Sequence, residues 1–219
     1  MSAIFSKALS DLGVEFHEVM EDILIVENFL TKEDIEDFFS IINESTEESW
    51  SNVYLRNLKS FAMLKHGRDD LDNLVAEGKL EITHNWADKN LIIGDHPVGQ
   101  RVFNKILEFV EATDENLFVT GSDTLQRMYE GVKLHAHTDQ DTDPSIVYAS
   151  IIYLNDDYAG GELFFDNIGL TMKPKAGTLV LFPGTEKFHH GVTPVEKGPV
   201  RYVVVGFIKV KDFYKDNKY

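Results

Sequence analysis

The sequence contains no cysteine. A disulfide framework, a thiolate metal site and a thiol nucleophile are therefore excluded, and any metal must be held by histidine, aspartate or glutamate. No apolar run approaches the roughly 20 residues that span a bilayer, and Met1 to Asp11 lacks the basic-then-apolar order of a signal peptide. A cytoplasmic protein without membrane attachment is expected. Basic residues are also few: 21 Lys and Arg stand against 37 Asp and Glu, a net charge of −16, and they form no run. Neutralising phosphates with Lys and Arg supplies most non-specific nucleic-acid affinity, so nucleic acid is not an expected partner. An acidic surface would steer a basic polypeptide inward, although it serves solubility equally well. No repeat, low-complexity tract or Pro/Gly-rich linker divides the 219 residues, of which 43% are hydrophobic, enough for one substantial core.

A change of period divides the chain instead. Ile35, Phe38, Phe39 and Ile42 recur at helical spacing after Thr31, a suitable N-cap, with Glu33 and Asp34 placing negative charge in the first turn. This helix follows a short strand, Ile23 to Val26. A second helix is expected after Pro97, where Val102, Phe103, Ile106 and Val110 share a face and Pro97 suits the first helical position. Between them, Ser45 to Asn90 mixes polarities, with scattered aromatics at Trp50, Tyr54, Phe61 and Trp86 and a short helix around Leu71 to Glu77; peripheral packing or a lid would each fit.

Beyond about Asn116 the pattern turns to short β-rich runs: Thr124 to Glu130, Ile146 to Leu154, Glu162 to Asp166, Thr178 to Phe182 and Arg201 to Val210. Ile146 to Leu154 and Val200 to Ile208 are apolar on nearly every residue, as strands covered on both faces should be. The expected fold class is mainly β (α+β): a double-stranded β-helix, a form of jelly roll, behind an N-terminal helical layer. We expect a single domain over residues 1–219, with 1–115 as a supporting region and 116–210 as a catalytic core.

Chemistry concentrates in Leu134-His135-Ala136-His137-Thr138-Asp139 and His189-His190. On an extended strand, residues two apart point the same way, so His135, His137 and Asp139 would share a face. Either His135 or His137 could then be a ligand beside Asp139, with His189 or His190 completing the set. Two imidazoles and one carboxylate leave several coordination positions open, the arrangement of non-haem iron(II) oxygenases. Zinc has no redox chemistry to offer such a reaction. Asp139, Asp141 and Asp143 could open a calcium loop, but Pro144 stands where that loop needs glycine and Ser150 where it needs glutamate, so a solvated acidic turn is the reading. His17, His66, His84 and His96 have no partner at ligand spacing. Gly160-Gly161 reads as a turn. Arg201 is a lone cation among apolar residues, and a buried charge requires an anionic partner or ligand.

The order of these segments resembles the prolyl 4-hydroxylase-like branch of the iron(II)/2-oxoglutarate dioxygenase superfamily, from about Leu125 to Ile208. Five blocks carry the resemblance: Tyr129-Glu130-Gly131 leading to His137-Thr138-Asp139; Ile151-Ile152-Tyr153-Leu154-Asn155 with Gly160-Gly161-Glu162-Leu163; Lys173 to Pro183; His190-Gly191-Val192-Thr193-Pro194-Val195; and Gly198-Pro199-Val200-Arg201-Tyr202. The resemblance implies His137, Asp139 and His190 as Fe(II) ligands and catalytic residues, Arg201 as partner of the distal carboxylate of 2-oxoglutarate, and Tyr129 and Tyr153 as further co-substrate contacts. A guanidinium fork suits a carboxylate, because it can give it two parallel charge-assisted hydrogen bonds. One residue more than the family's usual spacing separates Gly198 from Arg201. The implied activity is hydroxylation of a C–H bond coupled to conversion of 2-oxoglutarate and O2 to succinate and CO2. A prolyl or other side chain of a peptide or protein is the first expected substrate, a small molecule the next, and ascorbate the expected reductant. Two rivals remain: a cupin-type metal-dependent hydrolase or isomerase using no 2-oxo acid, and a non-enzymatic binding module on the same scaffold.

Overall fold

The computed structural model describes residues 4–51, 62–63, 66–79 and 89–213. Its strands are β1 (His17–Met20), β2 (Ile23–Val26), β3 (Lys89–Ile92), β4 (Leu117–Met128), β5 (Leu134–His137), β6 (Ile146–Tyr153), β7 (Leu163–Phe165), β8 (Leu170–Met172), β9 (Leu179–Pro183), β10 (His190–Val192) and β11 (Arg201–Val210). They form an antiparallel major sheet in the order β1-β2-β9-β6-β11-β4-β3 and a minor sheet in the order β5-β10-β7-β8. The helices are α1 (Ser6–Asp11), α2 (Lys32–Glu44), α3 (Leu71–Ala76), α4 (Pro97–Thr113) and α5 (Asp139–Thr142).

Strand alternation gives the major sheet two different apolar faces. Ile23, Ile25, Ala149, Ile151, Tyr153, Val180, Phe182 and Val203 pack against Leu163 and Phe165 of the minor sheet. Their neighbours Leu24, Val26, Tyr148, Ile152, Leu179, Leu181, Val204 and Ile208 pack instead with Phe38 of α2 and Val102, Ile106, Phe109 and Val110 of α4. This is the expected sheet-rich jelly roll with helices on its outer face. Both long helices fall where their periodicity places them, and Pro97 opens α4. At α2, Thr31 accepts from the Asp34 backbone N–H while the Asp34 carboxylate accepts from the Thr31 N–H, a reciprocal capping box.

The strand expected over Thr124 to Glu130 begins earlier, at Leu117. Gly121-Ser122-Asp123 resembles a break in the sequence, but it coincides with a register shift opposite Val205 and Phe207 that lets the strand continue. Trp50 is buried, donates its indole N–H to Ser45 Oγ at 2.8 Å and stacks on the Arg127 guanidinium at 4.1 Å, so it serves packing. The short helix expected around Leu71 is α3. Tyr54, Phe61, His84 and Trp86 lie outside the described residues. No described helix is long and apolar enough to cross a membrane.

Asp34 also ties α2 to α4. Its buried carboxylate meets Lys105 Nζ at 2.9 Å and Arg101 Nη2 at 3.1 Å. Burial alone would raise its pKa, but Lys105, the Thr31 backbone and Arg101 outweigh burial and lower it from 3.8 to about 2. A depressed carboxyl pKa contributes stability that is present above the unfolded value and is lost as pH falls through the folded one. Asp34→Asn should therefore cost about 2 kcal/mol at pH 7, shrinking as pH falls from about 4 towards 2. Denaturant unfolding at several pH values tests this; a difference independent of pH would mean that the charge is not its source.

Candidate metal centre

His137 and His190 face each other because β5 and β10 are antiparallel neighbours with these two residues in register. The pairing then shifts: Val192 lies opposite Leu134, so three steps along β5 match two along β10. This bulge breaks strict alternation. Leu134 and His137, rather than His135 and His137, both line the cavity between the sheets. The single strand face expected for His135, His137 and Asp139 is therefore not what forms. Asp139 is not on the strand at all, since β5 ends at His137 and Asp139 opens the helical turn α5. Aspartate suits turns and helix starts better than strands. His189 points away from His190 and holds Asp166 through Nδ1 at 2.8 Å.

The resulting cluster is His137, Asp139 and His190, whose ligand atoms lie within 4.8 Å of one another. Nδ1 of His137 lies 3.0 Å from the His135 carbonyl, and Nδ1 of His190 lies 3.0 Å from the Phe188 carbonyl. A carbonyl only accepts, so each Nδ1 carries the donated proton and each Nε2 turns towards Asp139, at 3.6 Å from Oδ1 and 3.9 Å from Oδ2 respectively. Burial pushes the His190 pKa down to about 4, leaving a neutral imidazole at neutral pH. At His137 burial acts the same way, but the Asp139 carboxylate overcomes it and holds the pKa above the ordinary range. Asp139 is 5% exposed, and its Oδ2 is buried without a hydrogen-bond partner among the described residues. An orphaned carboxylate oxygen facing two imidazoles is a group that could hold a cation, and the donor set fits iron(II). Thr138, between two of these residues, donates to Glu186 Oε2 at 2.9 Å, joining the ligand-bearing segments.

The cavity beside the cluster has a volume of about 180 Å³. Leu163, Phe182, Val203 and Phe207 contribute apolar wall, while Gln126 and Arg201 are polar lining residues alongside the three cluster members. Arg201, 1% exposed, donates Nε to the Gly161 carbonyl at 3.2 Å, and its Nη2 approaches the Tyr153 hydroxyl at 3.5 Å. Nη1 lies 3.3 Å from the Met128 sulfur. Among the described residues no carboxylate pairs with this guanidinium. The phenol of Tyr153 is fully buried, which raises its pKa against the opposing pull of Arg201. Tyr129 is half-buried, packs beside Val132 and Val192 and has the Arg127 guanidinium 5.0 Å from its ring.

Two residues near the site were not singled out from the sequence. Gln126 pairs with the inward-facing Val203, so alternation along β4 could have found it. Tyr158 sits in a turn, where no periodicity exists to reveal it. It is 2% exposed, its hydroxyl has no hydrogen-bond partner among the described residues, its ring lies 6.0 Å from the Arg201 guanidinium, and burial raises its pKa to about 12 against the pull of Arg201. Gly161 does more than turn the chain: at φ +65°, a Cβ there would lie 3.0 Å from Arg201 Cδ and 3.1 Å from the Tyr158 ring.

Residues 124–209 match the model of the 2OG-Fe(II) oxygenase superfamily. The matched span runs from β4 into β11 and carries the His137, Asp139 and His190 cluster and Arg201. Over 56 residues it is 36% identical to prolyl 3-hydroxylase 2 of Homo sapiens and 38% identical to prolyl 3-hydroxylase 3 of Mus musculus. Each match covers 23% of this chain and only 8% of the relative's length. The fold is shared with a viral collagen prolyl hydroxylase from Paramecium Bursaria Chlorella virus-1, with TM-score 0.57 and 16% identity over 86% of this chain and 95% of that one. It is shared also with a Pseudomonas putida prolyl-4-hydroxylase, with TM-score 0.55 and 17% identity over 94% and 99%. A Trichoplax adhaerens prolyl hydroxylase, solved with a hypoxia inducible factor peptide fragment, gives TM-score 0.58 and 16% identity over 86% and 83%.

Proposed function

We propose that this protein is an Fe(II)- and 2-oxoglutarate-dependent dioxygenase that hydroxylates a C–H bond of a prolyl or other side chain in a peptide or protein. One oxygen atom of O2 would enter the product alcohol and the other succinate, with CO2 released from 2-oxoglutarate. The observation that carries this reading is the buried Arg201, without an acidic partner among the described residues, in the same cavity as the His137, Asp139 and His190 cluster. A dicarboxylate 2-oxo acid bound at the cluster needs such a receptor for its distal carboxylate.

The three ligands would hold iron(II), which when bound supplies the activation of O2. Arg201, with Tyr153 beside it, would take the distal carboxylate of 2-oxoglutarate and fix its direction in the cavity. Tyr129 would contribute through packing at the edge of this site. The apolar walls from Leu163, Phe182, Val203 and Phe207 limit water around the reacting groups. A peptide substrate is suggested by the prolyl hydroxylase relatives and by the peptide complex of one structural neighbour. Residues 1–115 would act as the supporting layer and 116–210 as the catalytic core, with ascorbate as reductant keeping iron in its ferrous state.

The deciding assay is succinate formation by anaerobically purified, Fe(II)-loaded protein given O2, 2-oxoglutarate and ascorbate, with and without proline-containing peptides and free amino acids. Iron-dependent succinate raised by a peptide supports the reading. Well-folded, iron-loaded protein that neither binds nor consumes 2-oxoglutarate would overturn it.

A further inference from the structure

The ladder between β6 and β11 ends at the pair Tyr153 and Val203, and one further bond runs from the Leu154 N–H to the Tyr202 carbonyl at 3.1 Å. Continuing that register places Asn155 opposite Arg201, just where the backbone of β6 leaves the sheet. The side chain of Asn155 takes over there. Its Nδ2 donates to the Val200 carbonyl at 2.8 Å, and its Oδ1 accepts from the Tyr202 N–H at 2.9 Å. Asp157 Oδ1 accepts from the same Nδ2 at 2.7 Å and orients the amide. A carbonyl can only accept and an N–H only donate, so these partners fix which end of the amide is oxygen.

We propose that Asn155 is a positioning residue for the anionic co-substrate, acting through Arg201. This rests on the reading of Arg201 as the receptor for a dicarboxylate 2-oxo acid. The two backbone groups held by Asn155 belong to the residues on either side of Arg201, so one side chain sets the backbone from which the guanidinium projects. That control is needed because the preceding segment supplies little of its own. Gly198 adopts φ +153°, a conformation that L side chains rarely adopt, and Pro199 has no N–H to enter a ladder. A one-residue slip at the strand start would turn Arg201 to the opposite face. Asn155 opposes that slip.

The test compares wild type with Asn155→Ala and Asn155→Asp. The aspartate keeps the acceptor for Tyr202 and removes the donor to Val200. In anaerobic Fe(II)-loaded protein, both variants should bind 2-oxoglutarate about tenfold more weakly or worse, as expected for disturbing two backbone hydrogen bonds beside the receptor. Co(II) affinity, read from its absorption bands, should stay within about twofold, since the metal ligands lie on β5, α5 and β10, away from Asn155; the KM for 2-oxoglutarate should rise with kcat retained. In an Arg201→Ala background the Asn155 substitutions should cost no further affinity. Unchanged 2-oxoglutarate affinity in the variants would overturn the proposal, as would parallel losses of Co(II) binding, kcat and melting temperature, which would mark a structural residue. If the alanine variant does not fold, the aspartate variant decides by the same measurements. Wild-type protein failing to bind 2-oxoglutarate would instead sink the underlying reading of Arg201, and this proposal with it.

Discussion

Arg201→Ala is expected to weaken 2-oxoglutarate binding by about 10²–10⁴-fold, because two parallel charge-assisted hydrogen bonds at roughly 1.5–3 kcal/mol each would be lost. Metal affinity should be retained, since Arg201 is not among the clustered ligands. Ligand-free stability should not fall in Arg201→Met. The wild-type guanidinium is 1% exposed, and its polar contacts are a carbonyl, a phenol and a thioether. Burying a cation without a counter-charge is costly, and an apolar side chain of similar length removes that cost. Thermal unfolding reads both effects: at 100-fold excess over the wild-type dissociation constant, 2-oxoglutarate should stabilise wild type by about 2.7 kcal/mol and the variants by about 0.4 kcal/mol at most. A variant that gains as much stability from 2-oxoglutarate as wild type would show that the anion binds elsewhere, and no gain in any of the proteins would favour a cupin-type enzyme.

Asp139→Ala should remove metal binding and turnover together. Partners that merely orient a metal ligand are worth roughly 10–100-fold in affinity, so deleting the sole carboxylate of the cluster should cost at least about a hundredfold. His137 and His190 would remain as two neutral donors, without the charge that balances the ion. Without metal, the same substitution should cost little stability at a pH where His137 is neutral, because Oδ2 has no hydrogen-bond partner among the described residues and Oδ1 loses only its attraction for His137 Nε2, 3.6 Å away. Titration with Co(II) followed by unfolding of the metal-free proteins separates the two statements. Retained metal binding in the alanine variant would move the site away from Asp139, and retained function without metal would favour a binding module.

Much of this architecture was legible because it depends on local chemistry. Thr31 and Asp34 encode a helix start within four residues, and the paired apolar faces of α2 and α4 follow the helical period. The strands Ile146 to Tyr153 and Arg201 to Val210 are apolar on both faces because both faces are covered. Less legible were features that depend on the partner strand. The shift opposite Leu134 exists only in the pairing of β5 with β10, so counting along β5 alone put His135 on the ligand face. The residue triplet remained identifiable by its ordered blocks, although the strand-face argument for Asp139 failed. Short strands such as β8 and β10 offer three residues each, too few for a period to register. Tyr158 lay beyond any periodic argument, since a turn brings it to Arg201.

The two-sided major sheet has a consequence for how such a protein can change. On β6, Ala149 and Ile151 look towards the cavity while Tyr148 and Ile152 look towards the helices, and on β11 the same division separates Val203 from Val204. Consecutive letters of one strand thus answer to different demands, one set to the shape of whatever enters the cavity and the other to the foundation beneath. Selection can revise the first set letter by letter while the second stands still, so a single scaffold can drift between substrates without passing through an unfolded sequence.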